Sequence, residues 1–322
     1  MFILTFAVIG LFLFFYLSGM KTTLLFLSVF LSATLFGQNV YIPDANFKAY
    51  LVGNSQINTN GDTEIQVSEA SVFYGAINCY TLQIENLQGI EAFTALTYLD
   101  VHNNQLTSLD VSQNTALEEL ICSENQLTSL DVSQNTALTD LDCGGNPFTI
   151  LDISQNTALE TLWCADNQLT SLDVSQNTAL TYLVCQYNQL TSLDVSQNTA
   201  LTVLYCASNQ LTCLNLANGN NLNLFEFTAV DNPNLTCIEV DDAEWSTTAA
   251  VMQFYIDPQT SFSEDCNNDC STSTVGITQL TTSKNLIQIL DLMGRETSFK
   301  PNTPLIYVYD DGSIEKVFSV EY

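Results

Sequence analysis

The stretch LTSLDVSQNTALEELICSENQ, residues 106–126, is one turn of a pattern that returns every 21 residues. Leu96, Leu117, Leu138, Leu159, Leu180, Leu201 and Leu222 keep that step. So do Cys122, Cys143, Cys164, Cys185 and Cys206, and Asn104, Asn125, Asn146, Asn167, Asn188 and Asn209. A fixed period of about 20–50 residues means stacked supersecondary units rather than a conventional globular core. In L-x-x-L-x-C the second Leu and the Cys are two apart and share one strand face. Leu120 and Cys122 therefore point inward, and Glu119, Ile121 and Ser123 outward. A second apolar patch, Leu127, Leu130 and Val132, returns on the opposite wall as extended backbone. Strands wound about 4.8 Å apart bury a continuous core that no single unit could bury alone. The Asn after each strand turns inward to satisfy backbone groups at the bend.

The unit L-x-x-L-x-C-x-x-N-Q-L-T-x-L-D-V-S-Q-N-T-A resembles a leucine-rich repeat, with Cys or Val at its third apolar position, over residues 84–240. The resemblance implies a leucine-rich-repeat solenoid, β-rich, with caps at both ends. Residues 38–83 form the expected N-terminal cap. Within it Pro43-Asp44 starts a short helix that buries Phe47, Tyr50 and Leu51. The last rung loosens, with Phe227 expected in place of the Cys. Residues 241–270, with Trp245, Phe254, Tyr255 and Phe262, form the C-terminal cap.

Ahead of the repeats, residues 20–37 read as a secretory signal peptide: Met20-Lys21, an apolar run, then small residues near Gly37. Residues 1–19 are a second apolar run without a basic start. They are either an extension upstream of a true start at Met20 or one arm of a membrane hairpin. Six basic residues against 35 acidic ones, with no Lys or Arg between Lys48 and Lys284, exclude nucleic acid and anionic lipid as partners of the rod. Membrane contact is then confined to export or surface anchoring. The acidity suits an extracytoplasmic, salty or calcium-rich setting.

Two acidic constellations bear on calcium. Asn58, Asn60, Asp62, Glu64 and Glu69 in NTNGDTEIQVSE resemble an EF-hand or dockerin-like calcium loop, with Asn first and Thr63 where glycine is usual. The alternative is a hydrogen-bonded polar turn. Asp110, Asp131, Asp152, Asp173 and Asp194 form a column that reads as Asx turns or as a rack of weak calcium sites.

Ten cysteines in an exported chain raise the question of pairing. The five-membered column reads as buried thiols that pack as small hydrophobes. Cys237 and Cys266 flank the cap and are the preferred bridge, Cys213–Cys237 being the rival; Cys79 and Cys270 have no evident partner. With a single histidine, His102, on the outward strand face, Ser-His-Asp and Cys-His machinery find no support.

What varies between repeats carries the functional reading. The position between Leu and Cys runs Asp100, Ile121, Asp142, Trp163, Val184, Tyr205, and the position before it Tyr98, Glu119, Asp140, Thr161, Tyr182, Val203. Both rows face outward, and the expected ligand-binding cluster is Trp163, Tyr182, Tyr187, Tyr205 and Asp142. Exposed aromatics on a rigid sheet serve protein or glycan recognition; the other reading is that they shield strand edges. After a Ser/Thr-rich linker at 271–283, residues 284–322 alternate as a small antiparallel β domain. DLMGR ending at Arg295, Leu305 to Tyr309, Gly312 and Lys316 resemble the C-terminal sorting domain of cargo for the type IX secretion system of Bacteroidetes-type bacteria. That resemblance implies passage through the type IX machinery to the outer cell surface or the medium. The sequence thus reads as a secreted or cell-surface binding and adhesion protein, not an enzyme. A structural surface-layer component assembling with divalent cations is the first alternative, and a polysaccharide- or peptide-processing enzyme the second.

Overall fold

The computed structural model describes residues 37–249, 254–266 and 270, and the backbone of three strands at 286–290, 304–309 and 314–318. The apolar extension, residues 20–36 of the signal peptide, the linker, Arg295 and Gly312 lie outside the described residues. Among the described residues no helix is long and apolar enough to cross a membrane.

The chain divides into two units, Met1–Thr272 and Ser273–Tyr322. The first is a stack of short parallel strands wound as a solenoid. Nine strands form its main sheet: β1 (Ala76–Asn78), β2 (Tyr98–Asp100), β3 (Glu119–Ile121), β4 (Asp140–Asp142), β5 (Thr161–Trp163), β6 (Tyr182–Val184), β8 (Val203–Tyr205), β10 (Glu226–Thr228) and β12 (Phe254–Tyr255). A second parallel sheet joins β7 (Ser192–Asp194), β9 (Cys213–Asn215), β11 (Cys237–Glu239) and β13 (Ser261–Ser263) on the other wall. In the earlier rungs the matching L-D-V stretch forms no strand. The 21-residue step sets the register, so Leu99, Leu120, Leu141, Leu162, Leu183 and Leu204 lie opposite one another. Those leucines and the Cys122–Cys206 column are fully or almost fully buried.

The count misleads in the last rung. Leu204 lies opposite Phe227, 23 positions on rather than 21, so Phe227 fills the Leu slot and not the Cys slot. Ala229 takes the Cys slot, since its N–H bonds the next rung at Tyr255 as Cys185 bonds Tyr205. Leu222 keeps the arithmetic phase yet is 73% exposed, while Leu224 is buried in its stead. The insertion is absorbed in the loop, because the apolar slots of a stacked core are fixed by the rung beneath.

Two asparagine ladders hold the bends. After each strand one residue turns left-handed: Asn103, Glu124, Gly145, Asp166, Tyr187, Ser208 and Asp231, with φ of 52–61°. Such a residue other than glycine costs roughly 1 kcal/mol or more. The following Asn offsets this by replacing missing backbone partners. Asn125 Nδ2 donates to Val101 O (3.0 Å) and Cys122 O (3.1 Å), and its Oδ1 accepts from Leu106 N (3.0 Å). The second ladder, Asn114, Asn135, Asn156, Asn177 and Asn198, lies fully buried in the S-Q-N-T bend. Asn135 Nδ2 there reaches Val111 O (3.0 Å) and Asn114 O (2.9 Å).

The caps close both ends. Helix α1 (Ala45–Gly53) starts on Asp44, whose Oδ1 accepts from Asn46 N and Phe47 N, both at 2.9 Å. Its Oδ2 accepts from Glu85 N (2.9 Å) and Asn86 N (3.3 Å), tying the cap to the first rung. Tyr50 Oη accepts the N–H of Asn78 (2.8 Å) and so quiets the open edge at β1. A one-turn helix, α2 (Val67–Ala70), follows. At the other end α3 (Ala243–Ala249) brings Trp245 edge-on to Phe254 at 5.9 Å, and Phe254 edge-on to Phe227 at 5.3 Å. Cys237 bridges Cys266 as expected. The rival Cys213–Cys237 pairing does not form: Cys213 pairs with Cys270, which the sequence left without a partner. Adjacent parallel strands β9 and β11 carry Cys213 and Cys237 outward to the same cap segment, so each finds a cysteine in the cap rather than the other.

In the second unit β14 (Leu286–Leu290), β15 (Pro304–Tyr309) and β16 (Ile314–Phe318) form a three-stranded antiparallel sheet in that order, the small β domain expected there.

Candidate functional site

The outward face of the main sheet carries two rows of non-identical side chains. In register, Asp142 lies beside Trp163, Trp163 beside Val184, and Val184 beside Tyr205; in the other row Thr161, Tyr182, Val203 and Glu226 follow one another. Trp163 and Tyr182 stack with centroids 5.3 Å apart and planes 14° from parallel. Tyr182 meets Tyr205 edge-on at 6.1 Å. The outward-facing Val184 and Val203 in these rows are buried, yet Trp163 keeps 42% of its surface open. Trp163 thus stands open to solvent on a face whose valines are buried. The Tyr205 hydroxyl donates to Glu226, and that bond, with burial second, pushes the Tyr205 phenol well above its usual range. Beyond it a depression of about 400 Å³ is lined by Tyr205, Glu226, Phe227, Thr228 and Tyr255.

Trp163, Tyr182, Tyr205 and Asp142 are thus brought together. Tyr187 is not: it occupies the left-handed bend after β6 at φ 55° and stands 53% exposed, off the strand rows. Its slot holds Asn103, Gly145 and Asp166 in other rungs, residue types that mark left-handed backbone. Two members escaped the sequence reading. Tyr255 lies opposite Thr228 and extends the Trp163 row at 65% exposure, and Glu226 caps Tyr205. The irregular spacing after residue 216 hid both.

Towards β2 the face becomes acidic. Burial first, then Asp140 and Asp100, raise the Glu119 carboxyl above its usual range. Asp100 holds His102 Nδ1 at 2.7 Å, and the His102 ring stacks on Tyr80 at 4.8 Å. Ser123, one rung on from His102, directs its hydroxyl to Asp142 (2.8 Å), so no Ser-His-Asp relay is assembled here.

The NTNGDTEIQVSE loop uses its oxygens internally. Asn58 Oδ1 accepts from Gly61 N, Asn60 Oδ1 from Asp62 N, and Asp62 Oδ1 from Glu64 N, at 2.7–3.0 Å. Glu69 Oε1 accepts from Thr59 N (2.8 Å) and Asn60 N (3.2 Å), and Oε2 from Gln66 N (3.0 Å). Burial alone would raise the Glu69 pKa; these bonds outweigh it and hold the group below its usual range. Glu64 reaches away to Lys48 at 2.6 Å. As arranged, the donor set does not fit a calcium ion: Glu64 would have to leave Lys48, and Glu69 its backbone N–H groups. Among the described residues no three His, Cys, Asp or Glu converge as a metal site. The aspartate column forms Asx turns, as Asp110, Asp131, Asp152, Asp173 and Asp194 accept from the N–H two residues on at 2.9–3.0 Å. Hydrogen bonds from Ser112, Ser133 and Ser154 lower the carboxyls of Asp110, Asp131 and Asp152.

Cys122, Cys143, Cys164, Cys185 and Cys206 are free buried thiols, and Cys79 fills the same slot at the first rung, Val101 standing between. Burial pushes every thiol of the column up, Cys185 to about 12.

Residues 157–198 match the family model for leucine-rich repeats. The fold is that of the leucine-rich repeats. Leucine-rich-repeat structures are also its neighbours. The functional domain of InlJ from Listeria monocytogenes, which includes a cysteine ladder, is 29% identical over 70% of this chain and 62% of that one, with a TM-score of 0.48. The chain thus spans less than two thirds of that domain. Internalin C2 from Listeria monocytogenes is 18% identical over 71% of this chain and 95% of that one, with a TM-score of 0.50. A leucine-rich-repeat protein of Leptospira interrogans is 22% identical over 56% and 57%, with a TM-score of 0.41. No curated protein is similar to the chain by sequence.

Proposed function

We propose that the chain is an extracytoplasmic binding and adhesion module that captures a protein or glycan through the outward face of its main sheet. The observation that carries this is the Trp163–Tyr182–Tyr205 ladder, held at fixed spacing by hydrogen-bonded parallel strands. Rings already ordered by the sheet lose little conformational entropy when a partner covers them. Large amphipathic rings are also the side chains that dominate binding energy at interfaces. Two disulfides at the C-terminal cap agree with an oxidising compartment. The reading takes residues 20–37 as a signal peptide and residues 284–322 as a type IX sorting domain, the antiparallel β14–β15–β16 sheet being in keeping with the latter. The protein then works at the outer cell surface or in the medium.

Protein and glycan arrays, with and without calcium, test the proposal using the protein and its Trp163→Ala and Tyr205→Ala variants. A partner captured by the parent and lost by both variants, with circular dichroism unchanged, supports it. Capture indifferent to both substitutions refutes it, as does turnover of a polysaccharide or peptide by the purified protein.

A further inference from the structure

The binding face carries five carboxylates on its two strand rows: Glu119, Asp140 and Glu226 in one, Asp100 and Asp142 in the other. No Lys or Arg occurs between Lys48 and Lys284 to neutralise them. Among the described residues the ion pairs are Lys48–Glu64 and His102–Asp100, and neither relieves Glu119, Asp140, Asp142 or Glu226. Neighbouring rungs lie only about 4.8 Å apart, so Glu119 and Asp140 repel one another across one strand spacing. Asp142 stands one rung from the open indole of Trp163. Its oxygens accept from Ser123 Oγ (2.8 Å) and Gly144 N (3.1 Å), which fixes the carboxylate while leaving each oxygen a further lone pair.

Resting on the proposed function above, we infer that the occupant of this face is an extended polypeptide segment bearing arginine or lysine side chains. One cation lies on the Trp163 ring and reaches Asp142, and the next is held between Asp140 and Glu119. A neutral sugar or an acidic peptide would strip water from these carboxylates and return no charge. A guanidinium returns the charge, stacks on an indole face and forks onto a carboxylate, which is the pairing that Trp163 and Asp142 offer side by side. An extended chain is the form that fits, because alternate side chains of a strand advance by about 6.6–6.8 Å on one face. Arginine is preferred to lysine for its planarity and weaker hydration.

The test compares binding of alternating Arg-Ser, Lys-Ser, Gln-Ser and Glu-Ser peptides to the purified full chain by calorimetry. Three variants accompany it. The first is Trp163→Ala. The second removes face charge, Glu119→Gln with Asp140→Asn and Asp142→Asn. The third removes the same charge from the opposite wall, Asp110→Asn with Asp131→Asn and Asp152→Asn. Asparagine supports the Asx turn, as Asn215 does in that slot with Ala217 N at 2.9 Å, so the wall variant folds. The Arg-Ser peptide should bind best, weaken about tenfold in Trp163→Ala and at least as much in the face variant, and stay within about twofold in the wall variant. Equal weakening in the face and wall variants overturns the inference, since binding would then reflect net charge alone. A glycan captured through Trp163 while Arg-Ser shows no face dependence also overturns it but leaves the proposed function standing. If no probe and no array partner depends on Trp163, both fall.

Discussion

Asn167 belongs to the first asparagine ladder and offers a direct test of it. Its Nδ2 donates to Ala165 O (3.0 Å), Cys164 O (3.2 Å) and Cys143 O (3.2 Å), and its Oδ1 accepts from Phe148 N (3.1 Å). Asn167→Ala removes all of these and leaves Phe148 N in the core without a partner, while the carbonyls of Cys143, Cys164 and Ala165 keep Asn146 Nδ2, Asn188 Nδ2 and Gly145 N. A buried group left unpaired costs about 1–3 kcal/mol, and the weakened carbonyl contacts add to it, so the loss is roughly 2–4 kcal/mol. Neighbouring rungs share the damage, because stability in a solenoid is a sum of nearest-neighbour terms. Urea denaturation gives the magnitude. Hydrogen exchange should show the amides of 143–148 and 164–169 released first. The companion Asn167→Asp sharpens the test. It keeps the acceptor for Phe148 N but turns the second oxygen onto the Cys143 and Cys164 carbonyls, so folding favours the protonated acid. The folded-state pKa then lies above the unfolded value. The variant is near parental stability below that value and weakens as pH rises through the folded one. A loss below about 1 kcal/mol for Asn167→Ala, or an Asp variant that is weaker in acid than at neutral pH, would refute the reasoning.

The thiol column should be inert in the native state: Ellman's reagent at pH 8 finds none of the six free cysteines, and all six after denaturation. Fast native reaction would mean that the column opens. Asp44→Ala should destabilise by about 1–2 kcal/mol, as a helix cap is lost together with the contacts to Glu85 N and Asn86 N. Burial alone would raise the Asp44 pKa, but four backbone N–H groups lower it. The parent's advantage is therefore complete above the ordinary carboxylate value and should shrink as pH falls through the folded one, read as converging melting curves.

The winding of the chain was legible because ten slots repeat without exception between Leu96 and Leu216, and only a stacked core needs so strict a step. The Asx turns of the aspartate column and the inward Asn125-type ladder were legible for the same reason: one bend explains all. The second ladder at Asn114 to Asn198 was as regular in sequence but sits in S-Q-N-T, a composition that reads as an exposed turn although these side chains are fully buried. Legibility failed where the period slipped. Leu222 kept phase by arithmetic while the chain took Leu224, and Tyr255 fell outside any count although hydrogen bonding aligns it with Thr228. At the site, the strand rows placed Trp163, Tyr182 and Tyr205 side by side. Tyr187 falls outside those rows, because its slot is the left-handed bend that Gly145 also fills.

Hydroxyl-radical footprinting of the protein with a captured partner tests the binding face most directly. Trp163, Tyr205 and Tyr255 should be protected together, while Tyr187 in the bend and Tyr41 in the N-terminal cap oxidise as in the free protein. A complex in which Trp163 oxidises at its free rate would contradict the account.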